Sequence, residues 1–155
     1  DGVIVEMPPS SRLNTVTAGR LIHFLNAFVI PRDSGYVTVP DGGYRLGLRT
    51  YRQPDVAFIA KARAVDLDGV AFENAPDLAI EVVSPGEDIL KKAYEYLLAG
   101  TRLVWAVYAE DKLIRILRLD EHGELRSKQY GVEDTLDGGD VLPGFVLAVR
   151  DVFPD

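Results

Sequence analysis

The sequence predicts an α+β fold, a mixed β-sheet flanked by helices, and three observations predict it. Two stretches with apolar residues at helical spacing stand well apart, one near residues 14–29 and one near 85–99. Around the second lie apolar runs that alternate or continue as strands do. No internal repeat, low-complexity tract or linker interrupts the order of helix, strands, helix, strands. A length of 155 residues suits one domain over residues 1–155 with a sizeable core.

Taken in order, Val3–Met7 alternates as a short strand ended by Pro8-Pro9. Asn14 is placed to cap a helix that runs through about Val29. Leu21, Ile22, Leu25, Phe28 and Val29 form its apolar stripe, His23 points to solvent, and Pro31 stops it. After a turn at Asp33-Ser34-Gly35, Tyr36–Val39 reads as a strand. Asp41-Gly42-Gly43 reads as a hairpin signal, with 44–48 as the partner strand. Pro54–Ile59 is a further strand. Residues 60–76 read as loop, with Asp66-Leu67-Asp68-Gly69 a solvated turn that lacks the later ligands of a calcium loop.

Asp77–Ser84 is the strand that organises the rest. Ser84-Pro85-Gly86-Glu87 has the form of a capping box with proline at the first helical position. The helix it opens is expected to reach Ala99 and end at Gly100. Ile89, Leu90, Ala93, Tyr94 and Leu97 make its stripe, and Asp88, Lys92 and Tyr96 lie along one edge. Leu103–Val107 is nearly all apolar, so a central strand. Residues 112–119 and 124–130 pair across His122-Gly123. A turn at Asp137–Asp140 leads to a last short strand and Val152-Phe153.

Composition narrows the function classes. Without cysteine, disulfides and thiolate zinc sites are excluded, which fits a reducing compartment and leads us to expect a cytoplasmic protein. His23 and His122 are too few for an all-histidine metal site. No apolar run approaches the roughly 20 residues of a membrane helix, so no membrane partner is expected. No signal peptide is visible, and because the chain opens mid-strand this absence proves little. A net charge of −7 argues against broad adhesion to nucleic acid. A local basic groove can still coexist with an acidic exterior.

Alternation puts Asp77, Ala79, Glu81 and Val83 on one strand face, and Asp55, Ala57 and Ile59 on one face of another. A carboxylate inside an apolar strand is costly unless a cation or donor compensates it. Two such acids on neighbouring strands suit a hard divalent ion, Mg²⁺ or Mn²⁺. Such an ion polarises a phosphoryl oxygen and acidifies a water, and Lys92 beside it stabilises developing negative charge. Phosphodiester hydrolysis is the reaction this combination fits. Each residue also has a bland reading. Asp55 can begin a strand, Glu81 can sit in a structural ion pair, and Lys92 can pair with Asp88 four residues before it. Ser84 serves as a helix cap, Asp77 is either a strand-edge residue or a third acid, and Tyr96 packs with its hydroxyl at the rim. No phosphate loop, Ser-His-Asp arrangement or nucleophile elbow competes.

The order Pro54-Asp55, Glu81-Val82-Val83-Ser84-Pro85, Asp88, Lys92, Tyr96, Gly100 and Trp105 resembles the "putative restriction endonuclease" family of the PD-(D/E)XK nuclease superfamily. The opening Met7-Pro8-Pro9 with Gly19-Arg20-Leu21, and the ending Leu142-Pro143-Gly144-Phe145, are similar to that family too. The resemblance implies a restriction-endonuclease-like core and Mg²⁺-dependent DNA cleavage. Asp55 and Glu81 would be the metal ligands and Lys92 the catalytic cation. Three positions depart from the usual pattern. Val83 stands where the superfamily has lysine, Asn14 where many members have histidine, and Tyr108 where many have aspartate. The resemblance therefore implies a DNA endonuclease, with a catalytically degenerate, dimeric binding or regulatory module as the alternative. By fold analogy we expect a homodimer, since cutting two strands needs two sites.

Overall fold

The computed structural model describes residues 11–155, and the strand expected at residues 3–7 lies outside them. Helix α1 (Arg12–Arg32) starts earlier than the sequence suggested: Ser11, not Asn14, is the N-cap, and its hydroxyl accepts the Asn14 amide at 3.0 Å. It also runs through Pro31 instead of stopping before it. The missing N–H falls in the last turn, where the Arg32 guanidinium donates to the Phe28 carbonyl at 3.0 Å. The chain then reverses at Asp33, with φ of 50°. Thr17, Ala18, Leu21, Leu25 and Val29 are buried along one face, and His23 is exposed.

The expected hairpin does not form. Strand β1 (Gly35–Thr38) pairs antiparallel with β4 (Val56–Ala60), far along the chain. A Cβ at Gly35 would lie 2.2 Å from the Ile59 carbonyl oxygen, so glycine permits this close ladder. Strand β2 (Gly43–Arg45) pairs instead with β3 (Tyr51–Arg52) and β5 (Ala71–Phe72) in a small separate sheet. The segment read as loop thus holds β5 and a single-turn helix α2 (Lys61–Ala64). Elements this short carry no periodic signal.

Strand β6 (Leu78–Val82) is buried throughout, antiparallel to β4 and parallel to β7 (Leu103–Tyr108). Helix α3 (Ile89–Leu98) makes the crossover between the parallel pair. Strands β8 (Leu113–Leu119) and β9 (Leu125–Tyr130) follow as a meander, completing a sheet of order β1-β4-β6-β7-β8-β9. Strands β10 (Thr135–Gly138) and β11 (Leu142–Ala148) form a separate hairpin. One sheet face packs Phe58, Ile80 and Trp105 against α1 and this hairpin; the other packs Ala79 and Ala106 against Ala93, Tyr96 and Leu97 of α3.

Two expectations about α3 are corrected. Ser84 does not cap it: residues 84–87 close a turn in which Gly86 takes φ of +79°, a conformation no helix start can use. Asp88 is the N-cap, its carboxylate accepting the Lys91 amide at 3.2 Å. The buried stripe is Ile89, Ala93, Tyr96 and Leu97, while Leu90 and Tyr94 are 50% and 40% exposed. The helix is rolled so that Tyr96 faces the sheet. No helix of the described residues is long and apolar enough to cross a membrane.

Candidate active site

The register Val56↔Ile80 puts Asp55, one residue before β4, opposite Glu81 of β6. Asp55 is held there by the Val82 amide, which donates to its carboxylate at 2.7 Å. Glu81, only 5% exposed, accepts from the Tyr96 hydroxyl at 2.9 Å. Lys92, one turn before Tyr96 on α3, brings its ammonium to 3.8 Å from the other Glu81 oxygen. The same ammonium donates to the Glu87 carboxylate. Strand alternation and a one-turn helical step are thus enough to gather Asp55, Glu81, Lys92 and Tyr96.

Electrostatics follows from this crowding. Burial pushes the Glu81 carboxyl up to about 8, Asp55 and Glu87 adding to the shift while Lys92 and Tyr96 oppose it. Asp55 is also raised, chiefly by burial, although the Val82 amide, Glu81 and Lys92 work against it. Lys92 is raised despite burial, because Glu81, Glu87 and Asp55 hold its proton. Tyr96 is raised by burial and by Glu81, so it stays a donor. Without a further cation the two acids together retain a proton near neutrality.

The other predicted residues lie elsewhere or act differently. Asp77, 1% exposed, sits at the opposite end of β6, where Arg63 and Arg102 approach it at 3.4 and 3.3 Å and the Ala60 amide donates at 2.7 Å. It is a structural hub and does not reach the cluster. Asp88 caps α3, and Lys92 turns to Glu87 and Glu81 rather than to it. Ser84 contributes its backbone amide, donating to Glu87 at 3.0 Å, and no hydroxyl contact. Tyr96 is buried, not at a rim. The residue missed in the sequence is Glu87. Its signal was there, an acid three after Ser84, but it was absorbed into the capping-box reading.

A cleft of about 180 Å³ opens beside Asp55 and Val82, its other wall being Asn14, Thr15 and Ala18 at the start of α1. The first acid is therefore reachable from outside. Among the described residues no three His, Cys, Asp or Glu side chains gather as a metal cage. Two carboxylates nevertheless fit Mg²⁺, which keeps several waters and takes one or two protein carboxylates plus substrate phosphate.

The model of the family described as "Putative restriction endonuclease" (Uma2) matches residues 1–150. The chain belongs to this family. A solved structure of a putative nuclease belonging to DUF820 from Anabaena variabilis is similar in fold, with a TM-score of 0.83 at 17% identity. The similarity covers 99% of this chain and 87% of that one. Among curated proteins none matches this chain. The Uma2 assignment and the mixed sheet agree with a nuclease-like fold of the PD-(D/E)XK kind. Within this Uma2 chain position 83 is valine, and the cation beside Glu81 comes from Lys92 of α3.

Proposed function

We propose that this Uma2 chain is a divalent-metal-dependent DNA endonuclease whose centre is Asp55, Glu81 and Lys92. One observation carries the reading: a buried carboxyl pushed up to about 8 stands beside a second raised acid, with a lysine at 3.8 Å, where a cation would let both acids ionise. Asp55 and Glu81 would hold Mg²⁺ or Mn²⁺. When bound, the ion supplies Lewis-acid polarisation of a phosphoryl oxygen and a more acidic water. The residues themselves do the rest. The Val82 amide and the Tyr96 hydroxyl fix the two acids in place. Lys92, anchored by Glu87, aims positive charge at the place where the phosphodiester gains negative charge. The cleft between Asp55 and the start of α1 is the approach for the scissile strand. Family membership supports nucleic acid as the substrate class. A homodimer would supply two centres for two strands.

The test pairs calorimetry with cleavage. Mn²⁺ should bind the wild-type protein and not Asp55→Ala. Glu81→Ala should lose metal-dependent nicking of plasmid DNA while keeping its circular-dichroism spectrum. Metal-independent folding with no Mn²⁺ binding in the wild type would make the chain a degenerate binding module instead.

A further inference from the structure

The far end of the six-stranded sheet carries a groove that the acidic cluster does not use. Two cavities of about 540 and 290 Å³ share Leu103, Arg118 and Gly139, so they are continuous. Arg102, Arg118, Arg126 and Lys128 line them, against only Asp137 and Asp140. In a chain of net charge −7 this is a local reversal of sign.

The ladder explains why these cations crowd. Arg118 stands directly opposite Arg126 in the β8–β9 register, and Lys128 lies opposite Ile116 on the next rung of the same face. Directly opposed side chains are about 5 Å apart at Cβ, and like charges so placed are destabilising. Arg126 is balanced by Asp120 at 2.8 Å and Glu124 at 3.7 Å. Arg118 has no ion-pair or hydrogen-bond partner among the described residues. Lys128 rests its ammonium 5.0 Å over the Tyr130 ring, with no carboxylate. Arg102 reaches the groove between Asp77 and the Asp140 carbonyl, at 3.3 and 3.5 Å. Arg118 and Lys128 are thus cations without a carboxylate among the described residues, and an oxyanion is the group that satisfies both.

We propose that this groove binds the phosphodiester backbone of a nucleic acid strand, as a second contact away from the Asp55–Glu81 cluster. A row of cations over two joined cavities suits an extended polyanion better than a point ion, and guanidinium forks match phosphate oxygens. Arg118 lies beside Leu103, at the Leu78 end of the sheet. The cluster lies toward the Val82 end, at Glu81, three residues further on, so the two are separated by at least about 10 Å along the strands. That is about three base-pair steps of duplex. The choice of nucleic acid rests on the nuclease reading, whereas the binding itself needs no metal.

The test is fluorescence anisotropy with a labelled DNA duplex in EDTA over a series of NaCl concentrations. The Arg118→Ala, Lys128→Ala double variant should bind about tenfold or more weakly at low salt. Its slope of log affinity against log salt should be shallower by about 1.8, two lost phosphate contacts at about 0.9 each. Arg45→Ala, which removes an exposed cation paired to Glu73 on another surface, should leave the slope unchanged. An unchanged slope in the double variant overturns the proposal, and so does an equal loss in Arg45→Ala. Saturable binding of inorganic pyrophosphate without duplex binding also overturns it, as a small-anion site. Cleavage lost in Glu81→Ala with normal slopes throughout would sink the groove and leave the nuclease reading standing.

Discussion

At the scale of single residues, the cluster is a problem in charge compensation. Glu81 has one neutral donor in Tyr96 and one cation in Lys92, while Asp55 and Glu87 compete for the same positive charge. Lys92→Met keeps the stem and removes the charge. We predict that plasmid nicking falls about 10²–10³-fold, the usual loss of an electrostatic stabiliser. Circular dichroism should stay native, because the Lys92 side chain is partly exposed and methionine keeps its apolar stem. Wild-type activity in this variant would place the catalytic cation elsewhere. The sequence revealed Asp55 and Glu81 because an acid in an apolar strand is anomalous in any fold. Glu87 stayed hidden because a local motif explained it equally well, and only the roll of α3 shows that it holds Lys92.

At the scale of elements, the two helix starts make opposite predictions about neighbouring residues. Asp88 accepts the Lys91 amide, so Asp88→Ala should cost about 1 kcal/mol by urea unfolding. Ser84 offers only its backbone amide, so Ser84→Ala should be nearly neutral, within about 0.5 kcal/mol. The reverse ranking would restore the capping box at Ser84. The sequence could not separate these, since Ser-x-x-Glu and Asp-x-x-Lys both announce a helix and only the left-handed Gly86 decides. Strand existence was legible wherever apolar runs were long, as in β4, β6, β7 and β8. Strand partners were not. The Asp41-Gly42-Gly43 signal pointed to a local hairpin, yet β1 gains more by joining the buried β4.

At the scale of the molecule, long-range charge networks set how the fold responds to its surroundings. Asp77, Arg63 and Arg102 come from three separate segments, so no spacing rule could have joined them. Removing the acid alone leaves two part-exposed cations, which solvent screens, and strips the Ala60 amide of its acceptor. Asp77→Ala should therefore cost about 1–3 kcal/mol while leaving Mn²⁺ affinity intact, as urea unfolding and calorimetry on the folded variant would show.

Glu81 makes the opposite kind of contribution. Its carboxyl moves from 4.5 to about 8 on folding, so the folded state binds the extra proton between those values. Stability must then fall as pH rises through that window, by up to about 1.4 kcal/mol per pH unit from this group. Below the window the group is protonated in both states, and above it ionised in both, so its effect levels off. Asp55 is raised too and acts in the same direction. In EDTA, the melting temperature should decline from pH 5 to pH 8, against the usual trend for paired carboxylates. Glu81→Gln, which keeps an acceptor for Tyr96 and cannot ionise, should flatten that decline. Mn²⁺ at the upper end should restore stability to the wild type and do nothing for the glutamine variant. A wild-type profile that rises over this range, or an equal decline in Glu81→Gln, would mean that the buried acid is compensated by something other than a cation drawn from solution.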